Sequence, residues 1–311
     1  MIALRSIYVQ DGDVELSAVE GKNISFYDSI RIEAGSGSAV ALNTYTDEMT
    51  GEQKYGTGAI VFSGAKTADG LLAAQERVAK FVGVPLEQLG EIPVDVYGSR
   101  LSTIARDVSV EAGSLQVVDG AMLGLLDDGA LGYDLTVGAA ELVVSSGSVI
   151  GAQNIVFGEN SSFVLEGVAT LGLEEVAESS AMLLAESVTL TAGMTITVDG
   201  AYADLMGLAD MMVDVSNGGI FTLDLKESSA IERDGMQYFV IFTGAKSLGG
   251  ATWDDVKYEH NLTNHEDVTM GYDVETGTLY VRATPSIPEP ATATLSLLAL
   301  AALASRRRRV L

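Results

Sequence analysis

Two histidines, His260 and His265, stand five residues apart in the run His-Asn-Leu-Thr-Asn-His-Glu-Asp, with Glu266 and Asp267 directly behind. Such a donor set could ligate a divalent metal. The spacing opposes it: on a helix the two rings diverge, and on a strand they face opposite sides. A solvated loop is the favoured reading, and no metal or other cofactor is expected. The adjacent acids Asp127/Asp128, Glu174/Glu175 and Asp254/Asp255 are of the type that binds calcium or forms an acid–base pair. Adjacency alone does not bring two carboxylates to one bond, and so acidic a chain contains such neighbours by composition. Gly64-Ala65-Lys66-Thr67 lacks the Gly-Lys pair and the earlier glycine of a phosphate loop. No catalytic residue emerges from these patterns.

The most specific pattern lies in residues 285–311. Pro288-Glu289-Pro290 is followed by an apolar run from Ala291 to Ala304, with Leu295, Leu297, Leu298, Leu300 and Leu303 inside it, and then by Arg306, Arg307, Arg308 and Arg309. Two prolines fix φ and push the preceding residues toward extended geometry, so the first part is stiff and non-helical. The apolar run is helix-compatible, but at ~1.5 Å per residue it would extend only ~21 Å, short of a ~30 Å hydrocarbon core. Four arginines cannot cross cheaply and hold that end on the cytoplasmic side. A span so short suits a temporary tether better than a permanent anchor.

This order of parts resembles the PEP-CTERM sorting signal of exported proteins of Gram-negative bacteria. The resemblance implies that a membrane protease, an exosortase, recognises Pro288, Glu289 and Pro290 and removes the tail. It implies membrane contact through the apolar helix before processing, and a cell-envelope or extracellular location afterwards. In a bacterial protein the Asn-x-Ser/Thr triplets at Asn23, Asn160 and Asn261 have no glycosylation role.

Composition agrees with an exported body. The last 27 residues hold four Arg and one Glu, so residues 1–284 carry −28 against −25 for the whole chain. A surface of that sign excludes nucleic acid as a partner and avoids anionic lipid. The lack of cysteine rules out a disulfide framework and thiol chemistry, and suits an oxidising exterior. The start, MIALRSIYVQDGDVELS, has no apolar region of secretory-signal length, so the true N-terminus and signal are expected upstream.

The elements around these residues read as mainly β. Apolar residues two apart recur as Leu115/Val117, Leu123/Leu125, Leu135/Val137, Leu142/Val144, Ile155/Phe157, Phe163/Leu165, Val188/Leu190 and Ile196/Val198. Gly, Asp, Asn or Ser separates them. Two inward residues per short strand and a tight corner are what a β-solenoid face requires. Three faces would make a coil of ~22–24 residues on the repeat scale of solenoids. The competing fold is an antiparallel sandwich or meander, with Asp-Gly at 119–120, 128–129 and 199–200 as two-residue hairpins.

Five segments are expected. They are a solenoid start at 1–66, a helical insertion at 67–106, a β-solenoid at 107–215, a β-rich cap at 216–284 and the tail at 285–311. The insertion's clearest helix spans 69–82, with Leu71, Leu72, Val78, Ala79 and Val82 on one face. Helical character also runs over Glu174–Glu186 and Ala201–Met212, and Met206, Met211 and Met212 read as packing residues. Ile60-Val61-Phe62-Ser63-Gly64-Ala65-Lys66 is echoed by residues 240–246, a candidate repeated unit.

A glycine-rich β-body with a closing hairpin and this tail resembles autotransporter-type passengers. The expected function is a non-catalytic surface or matrix protein, with extracellular glycans among its partners. The alternative is a solenoid polysaccharide lyase or glycosidase. Only 14 Lys and Arg are spread over residues 1–284, few for neutralising uronates, and this favours the first.

Overall fold

The apolar pairs stack. Ile60, Leu115, Leu142, Phe163, Ile196 and Leu223 sit directly opposite one another on consecutive parallel strands. Two residues further on, Phe62, Val117, Val144, Leu165, Val198 and Leu225 form a second rung. All twelve are buried. Period-2 alternation puts both rungs on one side of the strands, and each fully buried aliphatic contributes ~1.5–3 kcal/mol.

The structure is a computed structural model that describes residues 6–9, 13–26, 30–35, 38–47, 49–64, 101–167, 180–251 and 256–286. Among these the chain winds through eight coils of three strands. The first is β1 Ser6–Tyr8, β2 Val14–Leu16 and β3 Asn23–Phe26. The second is β4 Arg31–Glu33 and β5 Val40–Leu42, then a small hairpin of β6 Thr44–Thr46 and β7 Gln53–Tyr55, then β8 Ala59–Ser63. The third is β9 Leu101–Ile104, β10 Val108–Val110 and β11 Ser114–Val118. In the fourth, β12 Met122–Asp127 turns back through β13 Ala130–Leu131 before β14 Leu135–Val137 and β15 Glu141–Ser145.

The fifth coil is β16 Val149–Gly151, β17 Asn154–Phe157 and β18 Ser162–Glu166; the sixth is β19 Ser180–Leu184, β20 Ser187–Thr191 and β21 Thr195–Asp199. The seventh is β22 Tyr202–Asp204, β23 Asp210–Asp214 and β24 Phe221–Leu225. After a short β25, Ile231–Arg233, the eighth comprises β26 Met236–Thr243, β27 Ser247–Gly250 and β28 Tyr258–His260. Last come β29 His265–Asp273 and β30 Thr278–Pro285.

Three sheets result. Sheet A runs β1-β4-β9-β12-β16-β19-β22-β26-β30-β29, sheet B runs β2-β5-β10-β14-β17-β20-β23-β27, and sheet C runs β3-β8-β11-β15-β18-β21-β24-β28. Coil neighbours pair in parallel; at the end of sheet A, β30 pairs antiparallel with β26 and β29 pairs antiparallel with β30. Parallel pairing needs a crossover, which the other two faces supply. This sets aside the antiparallel sandwich. Of the three Asp-Gly steps only Asp128-Gly129, with φ of 46° and 88°, closes a hairpin, between β12 and β13. Asp119-Gly120 instead turns the corner from sheet C to sheet A, with φ of 57° and 76°.

Other expectations change. The parallel register runs from Ser6 to His260, so at its C-terminal side it continues past 215. The coil resumes at Leu101, inside the expected 67–106 insertion, and β24, β27 and β28 inside 216–284 are coil strands. The helix expected at 69–82 and the C-terminal apolar helix lie outside the described residues. Helical character at 180–186 and 201–212 is overturned: β19, β22 and β23 are strands there. Ala, Leu and Met favour helix intrinsically, but Ala181, Leu183, Ala203, Met211 and Val213 face inward at period 2. Burial on a pleated face outweighs propensities of a few tenths of a kcal/mol. Met211 is packed as expected, whereas Met206 and Met212 are exposed. The echo of 60–66 at 240–246 falls on different sheets, β8 in C and β26 in A, so it is no repeated unit.

Candidate functional site

Of the tail, the described residues include Pro285 and Ser286; Pro288, Glu289, Pro290, the apolar segment and the arginines lie outside them. The root of the tail is therefore where geometry speaks. β30 lies between β26 and β29, and Leu279, Val281 and Ala283 point from it into the core. The Glu275-Thr276-Gly277 turn joins β29 to β30, with Gly277 at φ 63°. At the far end the Ser286 amide and hydroxyl both donate to the Asn264 carbonyl, at 2.9 and 2.6 Å. Pro285, opposite His265, closes the strand where no amide is required. The chain is thus held by sheet and hydrogen bonds up to the residue from which the tail leaves.

His265 contributes to that hold. Its Nε2 lies 2.6 Å from the Gln237 Oε1, and its ring meets Phe239 edge-on at 6.4 Å. His260 is exposed on β28, in sheet C, so the two histidines do not converge. Glu266 and Asp267 are exposed, the latter at a left-handed bulge with φ 51°. Among the described residues no group of three or more His, Asp or Glu could hold a metal. Asp127 ends β12 and Asp128 lies in the following turn; Glu174, Glu175, Asp254 and Asp255 are outside the described residues.

A groove not expected from sequence lies on the outer face of sheet A. It has a volume of 580 Å³, with Tyr238 and Val240 of β26 and Tyr280 and Thr278 of β30 along its floor. Ile231 and Arg233 of β25 flank one side, and Asp273 and Thr276 the turn end. Asp273 is held below the usual carboxylate range, first by the Glu275 amide and then by the Thr276 hydroxyl. The neighbouring Tyr272 phenol is raised by burial and by the Asp273 charge. The one available signal was Asp234-Gly235, with φ of 53° and 76°, which closes the β25–β26 hairpin.

A second hollow, of 420 Å³, lies near Arg31, Arg106, Asp127 and Tyr133. There the Arg106 guanidinium is occupied by the Gly35 and Ala105 carbonyls and the Tyr133 hydroxyl, at 2.9, 2.7 and 3.1 Å. That arginine ties coil corners together.

Comparison with known proteins adds one match. No curated protein and no solved structure matches the chain. Residues 286–309 match the family described as the PEP-CTERM protein-sorting motif, beginning at the residue clamped to Asn264. A β-solenoid of stacked parallel coils thus carries the sorting motif of an exported protein that an exosortase processes.

Proposed function

We propose that the body is a non-catalytic, adhesin-like surface or matrix protein, of the autotransporter-passenger type, displayed outside the cell once its tail is cut. The apolar segment from Ala291 to Ala304 is the temporary membrane tether, and Arg306 to Arg309 are its cytoplasmic stop. Among the described residues no helix is long and apolar enough to cross a membrane; the tether reading rests on the apolar run and the arginine block in the sequence. The observation carrying the reading is the abrupt boundary at Ser286, where a rigidly paired strand meets the sorting motif. A solenoid suits display, because stacked coils give long flat faces without a closed cavity.

The test is the C-terminus of native protein recovered from its own cells. Mass spectrometry is expected to find the four arginines gone and the body in the envelope or medium. In cells producing Glu289→Ala the uncut form should accumulate in the membrane fraction. Recovery of a full-length cytosolic protein overturns the sorting reading. Depolymerisation of a polyuronate by the purified body overturns the non-catalytic part and revives the lyase.

A further inference from the structure

We propose that the groove on the outer face of sheet A binds a neutral glycan chain. Tyr238 and Tyr280 make its floor, with ring centroids 5.7 Å apart and planes inclined at 51°. The tilt leaves a shallow aromatic trough. Tyr280 lies close against the neighbouring strand because its partner there is Gly271. A Cβ on Gly271 would come within 2.7 Å of that ring, so the missing side chain is what seats it.

Beside the rings runs a row of polar groups. The Thr276 and Thr278 hydroxyls lie 2.8 Å apart, within hydrogen-bond reach, and Thr278 shares a 3.1 Å bond with Thr243. The row ends at Asp273, whose carboxylate stays ionised because the Glu275 amide binds it. Across the groove Arg233 is exposed, with no ion pair among the described residues. A pyranose ring presents a face of slightly positive C–H groups and a rim of hydroxyls. The negative faces of aromatic rings take the first, and a mixed row of donors and acceptors takes the second. A volume of 580 Å³ lies within the ~300–1,000 Å³ typical of small-ligand sites.

Charge selects neutral chains over uronate polymers. The groove lining holds one cation, Arg233, and one anion, Asp273, with the exposed Arg282 beside it opposite Tyr238, while the body's net −28 repels polyanions at long range. The assignment rests on the surface-protein reading only for the source of the glycan. Binding is measured on purified protein, so failure here leaves the C-terminal mass result intact.

The experiment is isothermal titration of the full chain with cellohexaose, maltohexaose and chitohexaose, with hexagalacturonate as the charged counterpart. At least one neutral hexasaccharide is expected to bind more tightly than hexagalacturonate. Tyr238→Ala should weaken it by about tenfold or more, equivalent to about 1.4 kcal/mol. Arg233→Ala should weaken it severalfold, both variants keeping the wild-type melting temperature within a few degrees. Tyr280→Ala uncovers Gly271 and can loosen the sheet, so the other two variants decide. Failure of all three neutral sugars to bind at millimolar concentration overturns the proposal, as does tighter binding of hexagalacturonate or wild-type affinity in both variants.

Discussion

Glu141 opens β15 with its carboxyl partly buried, and burial first, then the Glu166 carboxylate, raise its pKa. Folding therefore favours the protonated form. The stability this group contributes is complete below its ordinary value of 4.5 and is lost as pH rises through the folded-state value. At neutral pH the charge is a cost. Glu141→Gln is expected to raise the melting temperature at pH 7, with the difference shrinking toward zero well below pH 4.5. A melting curve series across pH checks this, and a drop at pH 7 contradicts it. Asp273 has the opposite sign: its lowered pKa stabilises the hairpin above the ordinary range, and that contribution fades as pH falls through the folded value.

At the scale of elements, Asn43 shows how corners are stitched. It is fully buried at φ 58°, accepts from the Ala18 amide at 3.1 Å, and donates to the Gly58 and Ser114 carbonyls at 3.0 and 3.2 Å. One side chain thereby joins corners of three successive coils. Asn43→Ala leaves those groups unpaired and is expected to cost roughly 1–3 kcal/mol in denaturant unfolding, more if all three stay dry. An unchanged midpoint would show the corners are held by backbone alone. Nothing in the sequence marks Asn43, because its partners are 25, 15 and 71 residues away. The ladder was legible for the reverse reason: Leu142/Val144 and its like betray themselves within three residues through period 2. The Tyr238–Tyr280 groove was not, since β26 and β30 meet only after a coil and a hairpin intervene. β19 was misread because helix formers there serve a strand.

For the whole molecule, the ends of the stack matter most. β30 and β29 cover the β26 edge of sheet A in antiparallel register, with Phe239, Leu279 and Val281 buried beneath. Removing residues 263–311 uncovers that edge, and bare strand edges pair with one another. The shortened chain is expected to self-associate in light scattering, increasingly with added salt as the acidic repulsion is screened. A monomer as stable as the intact chain would refute this role for the two strands.

The knot between Ser286 and Asn264 also fixes a clearance. Five residue steps separate Ser286 from Ala291, at most ~18 Å of fully stretched chain. A small domain is ~30 Å across. With the proposed tether starting at Ala291, a body folded before cutting overhangs the lipid like a roof above a narrow crawl space, and the blade must slide in edgewise or arrive before the roof is laid.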